Sequence, residues 1–241
     1  MDHQSKPSVS PGLDSNLGSG LKSGLLAPTR LYLASQSPRR RELLAQIGVT
    51  PILLLPDEDE DAEALEQTRT SESARDYVAR VTRAKSHAAA QRLQRRGLPS
   101  APILCADTTV TIDGQILGKP ENAADAARIL RLLSGRTHQV LTAVTLSMPG
   151  PNSVLHAASD AATPAMAFAL SVSDVQFSVL DDHAIQRYID TGEPFGKAGA
   201  YGIQGHGAAF IAHLNGSYSG VMGLPLFETA QLLRDAGLNA C

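Results

Sequence analysis

The 241-residue chain contains no tryptophan, and aromatic residues make up only 4% of it. Its core must therefore be aliphatic and alanine-rich, and the 43% hydrophobic fraction is enough to build one. Cysteine is also scarce: Cys105 falls in an apolar run and Cys241 is the last residue. Two such positions make no disulfide framework and fit a reducing cytoplasm. No apolar run approaches the roughly 18 residues a membrane helix needs. The start of the chain has no signal-peptide hydrophobic region, because Gly24 to Ala27 is too short. Positive charge is not in excess: the net charge is −3 and the pI about 6.1. That excludes a general nucleic-acid binder, which needs a broad basic face. The phosphate loop GxxxxGK(S/T) is absent, which argues against a kinase built on it. Zinc-ligand spacing, catalytic-triad spacing, internal repeats and coiled-coil heptads are missing too. His138, His206 and His213 lack metal-ligand spacing and read as structural or surface residues.

What is present is organised around Leu31 to Gly48, LYLASQSPRRRELLAQIG. It reads as a short apolar strand, a tight polar loop (Ser35, Gln36, Ser37) and a helix. Ser37 suits the N-cap, where its hydroxyl can accept a bond from a first-turn N–H. Pro38 suits the first helical position, which needs no N–H. Leu43, Leu44 and Ile47 give the helix an apolar face, and Gly48 stops it. Arg39, Arg40 and Arg41 crowd an end that is already positive, at a cost of about 0.3–1 kcal/mol each. An anion such as phosphate at that end would account for them.

The length fits one α/β domain with an extended sheet, or two small lobes. Residues 1–29, rich in Ser, Gly and Pro, read as a disordered extension before a single domain over 30–241. Val49 to Leu55 reads as a strand, followed by an acidic run, Asp57 to Glu63, from which a carboxylate could turn inward. Ser73 and Asp76 form a capping box for a helix whose inner stripe, Ala74, Val78 and Val81, also carries Lys85. Ile103 to Ile112 reads as a buried strand closed by the turn Asp113-Gly114. Asp107 interrupts it, and a lone buried carboxylate is costly unless paired or on a metal. A short strand, Gln115 to Leu117, leads to Gly118-Lys119-Pro120. A helix over Glu121 to Ser134 and a strand over Gln139 to Met148 follow. Residues 149–167 read as a flexible insertion, and Ala169 to Val179 as a strand. Asp181 or Asp182 opens a further helix. Glu193 to Gly207, with glycines at 196, 199, 202, 205 and 207, permits close backbone approach to a ligand. Gln204 there has the donor and acceptor needed to read a pyrimidine edge. Ala208 to Leu214 reads as a strand, Asn215 to Pro225 as a loop and Leu226 to Ala236 as the last helix. Together these features point to an enzyme acting on a phosphorylated small molecule with a carboxylate-held divalent metal.

Four stretches resemble the Maf family of nucleoside triphosphate pyrophosphatases. They are ASQSPRR at Ala34 to Arg40, ADTTV at Ala106 to Val110, GKP through SGRTHQVLTAV ending at Val144, and GEPFGKAGAYGIQG through GSYSGVMGLPLFET ending at Thr229. AGAYGIQG resembles the subgroup acting on dTTP and UTP rather than the sister subgroup acting on 7-methyl-GTP. The resemblance implies hydrolysis of the triphosphate to monophosphate and pyrophosphate. It implies a long, twisted, mixed sheet flanked by helices, two-lobed with a central cleft, similar to inosine triphosphate pyrophosphatases. It also implies a homodimer and a divalent cation, Mg²⁺ or Mn²⁺. Carried over by residue, Asp107 matches the family's proton acceptor and is a candidate metal ligand, as base, metal ligand or both, with Glu60 matching a carboxylate that helps hold the metal. Arg40, Lys85 and Lys119 match the phosphate clamp, with Ser35 and Ser37 in the same loop. Arg39, Thr108 and Gln204 match positions linked to base specificity. One departure is Gly196, where the family often has Asp. Some family members are discussed as regulators of septum formation, so a nucleotide-sensing partner of division proteins is the alternative.

Overall fold

The structure, a computed structural model, describes residues 30–57, 60–61, 64–148 and 165–240. The N-terminal extension and most of the 149–167 insertion lie outside the described residues. Seven strands form one mixed sheet: β1 (Tyr32–Leu33), β2 (Ile52–Leu53), β3 (Ile103–Ile112), β4 (Gln115–Leu117), β5 (Thr137–Met148), β6 (Ala165–Phe177) and β7 (Ile211–Asn215). Their order is β2-β1-β3-β5-β6-β7, and β4 pairs with β3 beside this path. β1 runs parallel to β2 and β3, whereas the other pairs are antiparallel. The helices are α1 (Pro38–Gln46), α2 (Ala74–Arg95), α3 (Ala123–Leu133), α4 (Asp182–Asp190), α5 (Tyr218–Met222) and α6 (Leu226–Asp235). The expected long mixed α/β sheet is thus observed.

Residue alternation along β3 and β5 sorts the core. On one face, Leu104, Ala106, Val144 and Leu146 pack with Leu43 and Leu44 of α1 and Leu233 of α6. Further along that face, Val110, Ile112 and Val140 pack with Ile129, Leu130 and Leu133 of α3 and Ile185 and Ile189 of α4. These are the two lobes. The opposite face is covered by α2, with Val78 and Val81 over Leu141 and Ala143 and Ala89 and Leu93 over Ile103 and Cys105. Each fully buried Leu, Ile or Val contributes about 1.5–3 kcal/mol.

Ser73 caps α2 as expected, accepting from the Asp76 N–H at 3.1 Å. Asp113 and Gly114, at φ 50 and 77, make the tight β3–β4 turn. Several details differ from the sequence reading, among them that the strand expected over Val49 to Leu55 is only Ile52–Leu53. Ser37 sits at the N-cap of α1, but its hydroxyl accepts no first-turn N–H; its own N–H donates to Ser35 Oγ at 3.2 Å. β6 starts at Ala165, because pairing with β5 continues to Met148 opposite Ala165. The expected strand from Ala208 begins only at Ile211, since His206–Phe210 is wound into a 3₁₀ turn. The expected loop from Asn215 contains α5, capped by the Ser217 hydroxyl on the Gly220 N–H.

Gly199 shows why the glycine-rich stretch is built as it is. Its φ is +71, and a Cβ there would lie 2.8 Å from Val110 Cγ2. Gly199→Ala is expected to destabilise the protein by about 2–4 kcal/mol, combining left-handed strain with overpacking. Gly48, at φ +74 with nothing within 4 Å, should cost only about 1–2 kcal/mol on the same change. Urea titration of the two variants checks the difference, and equal midpoints would remove the Val110 contact from the explanation.

Candidate active site

The site begins with an interruption in sheet pairing. β1 accompanies β3 only as far as Leu104, where the Ala34 N–H donates to the Leu104 carbonyl at 3.0 Å. Ser37-Pro38 then turns the chain into α1, since the residue before a proline is held extended and the helix starts at the ring. β4 joins the same edge only at Val110, opposite Leu117. Its register would carry Lys119 to Thr108, but Pro120 has no N–H with which to continue a ladder. Residues 105–109 therefore have β5 on one side and no strand on the other. Carbonyls 102 and 104 face β1, so by strand alternation the peptide groups of Ala106 and Thr108 face the open edge. A cavity of about 630 Å³ lies there.

Asp107 and Thr108 leave β3 on opposite faces at this gap. On the α2 face, Lys85 Nζ donates to Asp107 Oδ1 at 2.6 Å and to Glu66 Oε1 at 2.7 Å. Lys119 Nζ donates to the other Glu66 oxygen at 2.9 Å. The four side chains form a continuous chain, Asp107–Lys85–Glu66–Lys119. Burial disfavours the Lys85 charge, but the two carboxylates outweigh it and hold its pKa above the ordinary lysine value. Burial likewise opposes ionisation of Glu66, and Lys85 and Lys119 reverse this, lowering its pKa.

On the other face is Arg40. Its Nε donates to the Gly223 carbonyl at 2.8 Å, Nη1 to Ser35 Oγ at 3.0 Å and Nη2 to Thr108 Oγ1 at 3.5 Å. All three acceptors are neutral. Burial lowers the Arg40 pKa, the Asp107 charge opposes that shift, and Arg39 adds to it. Arginine keeps its proton regardless. A cation so placed, at the start of α1, suits an incoming anion.

The glycine-rich stretch closes the cavity from the second lobe. Glu193 organises it: its carboxylate accepts from the His206 N–H at 2.7 Å, the Gly207 N–H at 3.1 Å and the Tyr188 hydroxyl at 2.9 Å. A Cβ at Gly205 would overlap the Glu193 carboxylate, so a larger residue there would have to displace it from these contacts. Gln204 stands between these anchored positions and lines the cavity, as do Arg39 and Lys197. Lys197 donates to the Glu193 carbonyl; burial first, then the neighbouring Arg39, lowers its pKa.

The structure brings Ser35, Ser37, Arg39, Arg40, Lys85, Asp107, Thr108, Lys119 and Gln204 to one cavity. Glu60 also reaches its wall, but not as a free carboxylate. Its oxygens are engaged by Arg92 and Arg95. The carboxylate that shares a cation with Asp107 is Glu66, which sequence reading missed. Asp57 likewise pairs with Arg95 and Arg96, so Asp57 and Glu60 of the acidic run are tied to the end of α2. Among the described residues no group of three or more His, Cys, Asp or Glu could hold a metal ion. Glu193 and Lys197 were also unforeseen; the glycine pattern gave their loop but not their contacts.

The Glu60 pairing has a pH signature. The Arg92 hydrogen bond lowers its pKa from 4.5 to about 2. A depressed carboxylate pKa contributes stability above the unfolded value and loses it as pH falls through the folded one. The denaturation midpoint of the native sequence should therefore fall between about pH 4.5 and 2 more steeply than that of Glu60→Gln. Parallel curves would show that this ion pair carries no net stability.

Residues 30–236 match the protein family described as Maf-like protein. A dTTP/UTP pyrophosphatase of Ralstonia nicotianae is 60% identical over 209 residues, covering 87% of this chain and 95% of that protein. A dTTP/UTP pyrophosphatase of Cupriavidus metallidurans is 58% identical over 209 residues, covering 87% of this chain and 98% of that one. One of Burkholderia pseudomallei strain 1710b is 58% identical over 206 residues, covering 86% and 93%. By the span of the match and the level of identity, the chain belongs to the Maf family.

Proposed function

We propose that this protein hydrolyses dTTP and UTP to the nucleoside monophosphate and pyrophosphate. The observation that carries the proposal is a carboxylate, Asp107, at an open strand edge with cations on both faces: Lys85 and Lys119 on one, Arg40 on the other. The names of the relatives supply the substrates. They favour an enzyme over a septum regulator without turnover.

In the proposed reaction a water attacks the α-phosphorus, and the bond to the bridging oxygen of the β-phosphate breaks. Asp107 takes the proton of the attacking water. Arg40, with Ser35 and the first-turn N–H groups of α1, receives phosphate oxygens on one side. Lys85 and Lys119 receive them on the other and stabilise the leaving pyrophosphate. In the absence of substrate Glu66 occupies those two ammonium groups, so phosphate oxygens take over contacts that Glu66 makes now. Asp107 and Glu66 meet at one cation, and as hard oxygen donors they suit Mg²⁺ or Mn²⁺. Glu60 would join them only on release from Arg92 and Arg95. When bound, the metal would neutralise phosphate charge. Gln204, Arg39 and Thr108 read the base. The same reading, on the family resemblance, expects a homodimer in the cytoplasm. Among the described residues no helix is long and apolar enough to cross a membrane.

The test is pyrophosphate release from dTTP, UTP, CTP, GTP, ATP and 7-methyl-GTP with Mg²⁺ or Mn²⁺. Selective turnover of dTTP and UTP is expected, and binding without turnover of any of them would overturn the reading. Asp107→Asn keeps an oxygen for Lys85 and should fold normally. It is expected to lower kcat by at least about 10²-fold. Full activity in that variant would remove Asp107 from the proton transfer.

A further inference from the structure

Two threonines interrupt the apolar rows that join the lobes. Along one face, β3 presents Leu104, Ala106, Thr108, Val110 and Ile112, and β5 presents Val140, Thr142, Val144 and Leu146. Thr108 and Thr142 are direct cross-strand partners. Thr108 lines the cavity, whereas Thr142 is 1% exposed and lies behind it.

The hydrogen bonds of Thr142 have a direction. Its Oγ1 lies 2.7 Å from the Gly220 carbonyl oxygen. Two oxygens that close need a proton between them, and a carbonyl has none to give. The single Thr142 proton is therefore spent on Gly220. The Thr108 and Thr142 hydroxyls are 3.0 Å apart, so Thr108 must be the donor in that pair. The remaining neighbour of Thr108, Arg40 Nη2, is itself a donor. Facing the cavity, Thr108 can offer lone pairs only.

We propose that Thr142 is a specificity-determining positioning residue: by fixing the Thr108 hydroxyl as an acceptor, it selects nucleobases that present a ring N–H. This rests on the reading above that places Thr108 at the base. Uracil and thymine carry a donor at N3. Cytosine has a bare acceptor there, and facing Thr108 it would set two acceptors against each other. Gln204 can swap its amide donor and acceptor by rotating and so cannot enforce that choice alone.

The test compares kcat/KM for UTP and CTP in the native protein, Thr142→Val and Thr142→Ser. Valine keeps the shape and frees the Thr108 proton to turn toward the cavity. The UTP-to-CTP ratio is expected to fall about tenfold or more. Serine keeps the hydroxyl and should retain the ratio, which a purely structural defect would not distinguish. A measurement on the native protein does not depend on the variants folding: 3-methyl-UTP, whose N3 carries no hydrogen, should be turned over at least about tenfold less efficiently than UTP. UTP turnover with an unchanged ratio in Thr142→Val, or equal use of 3-methyl-UTP, overturns this inference alone. No turnover of UTP by the native protein overturns the pyrophosphatase reading, and this inference with it.

Discussion

Everything at the cavity depends on one edge of β3 being left without a strand between Leu104 and Val110, while β5 pairs with the other. A central strand in a sheet has its backbone satisfied on both sides and its side chains buried by helices. Here two short strands flank β3 and neither reaches its middle. Proline ends each of them, Pro38 through the start of α1 and Pro120 after β4. The gap leaves the peptide groups of Ala106 and Thr108 without a strand partner on that edge and lets side chains of opposite faces, Asp107 and Thr108, open onto one space. A lone aspartate in an unbroken strand would be a folding defect. At a gap it can reach both water and a cation.

The two faces handle charge differently. Lys85 is compensated twice over, by Asp107 and Glu66, and this ionic chain sits where burial alone would suppress it. Removing one partner of such a chain is costly, because it leaves a poorly solvated charge. Arg40 is held by neutral oxygens, which orient its fork without cancelling its charge. One face thus keeps its cations occupied, and the other holds a cation ready. In the proposed function, an arriving triphosphate would meet an uncompensated cation at Arg40, beside the start of α1. At the lysines it would have to exchange with Glu66.

Much of this was legible in the sequence, wherever local chemistry decides structure. The β-branched run from Ile103, the Asp113-Gly114 turn and the Ser73 cap all rest on interactions within a few residues. Lys85 was legible as inward because helical spacing puts it on the stripe of Val78 and Val81. What local reading could not see was tertiary pairing. Glu60 read as available because Arg92 and Arg95, more than thirty residues on, carried no sign of where they would reach. Glu66 carried no local signal at all, yet it meets Lys119 across 53 positions. α5 was hidden by Gly220 and two serines, poor helix formers that here cap the helix and bond within it.

In the proposed function, base reading and phosphate binding are linked through the backbone of α5. Gly220 in α5 accepts from Thr142, and Gly223 just beyond it accepts from Arg40. The short helix and the residue that follows it therefore touch both the Thr142 hydroxyl and the Arg40 guanidinium. Ser217 caps it and also donates its N–H to Ser173 Oγ of β6 at 2.9 Å, tying it to the sheet. A shift of α5 would move the acceptor of Thr142 and the acceptor of Arg40 together. In the proposed function, the base-reading polarity and the phosphate grip are thus tied to one short helix, in addition to the direct contact of Arg40 Nη2 with Thr108 Oγ1.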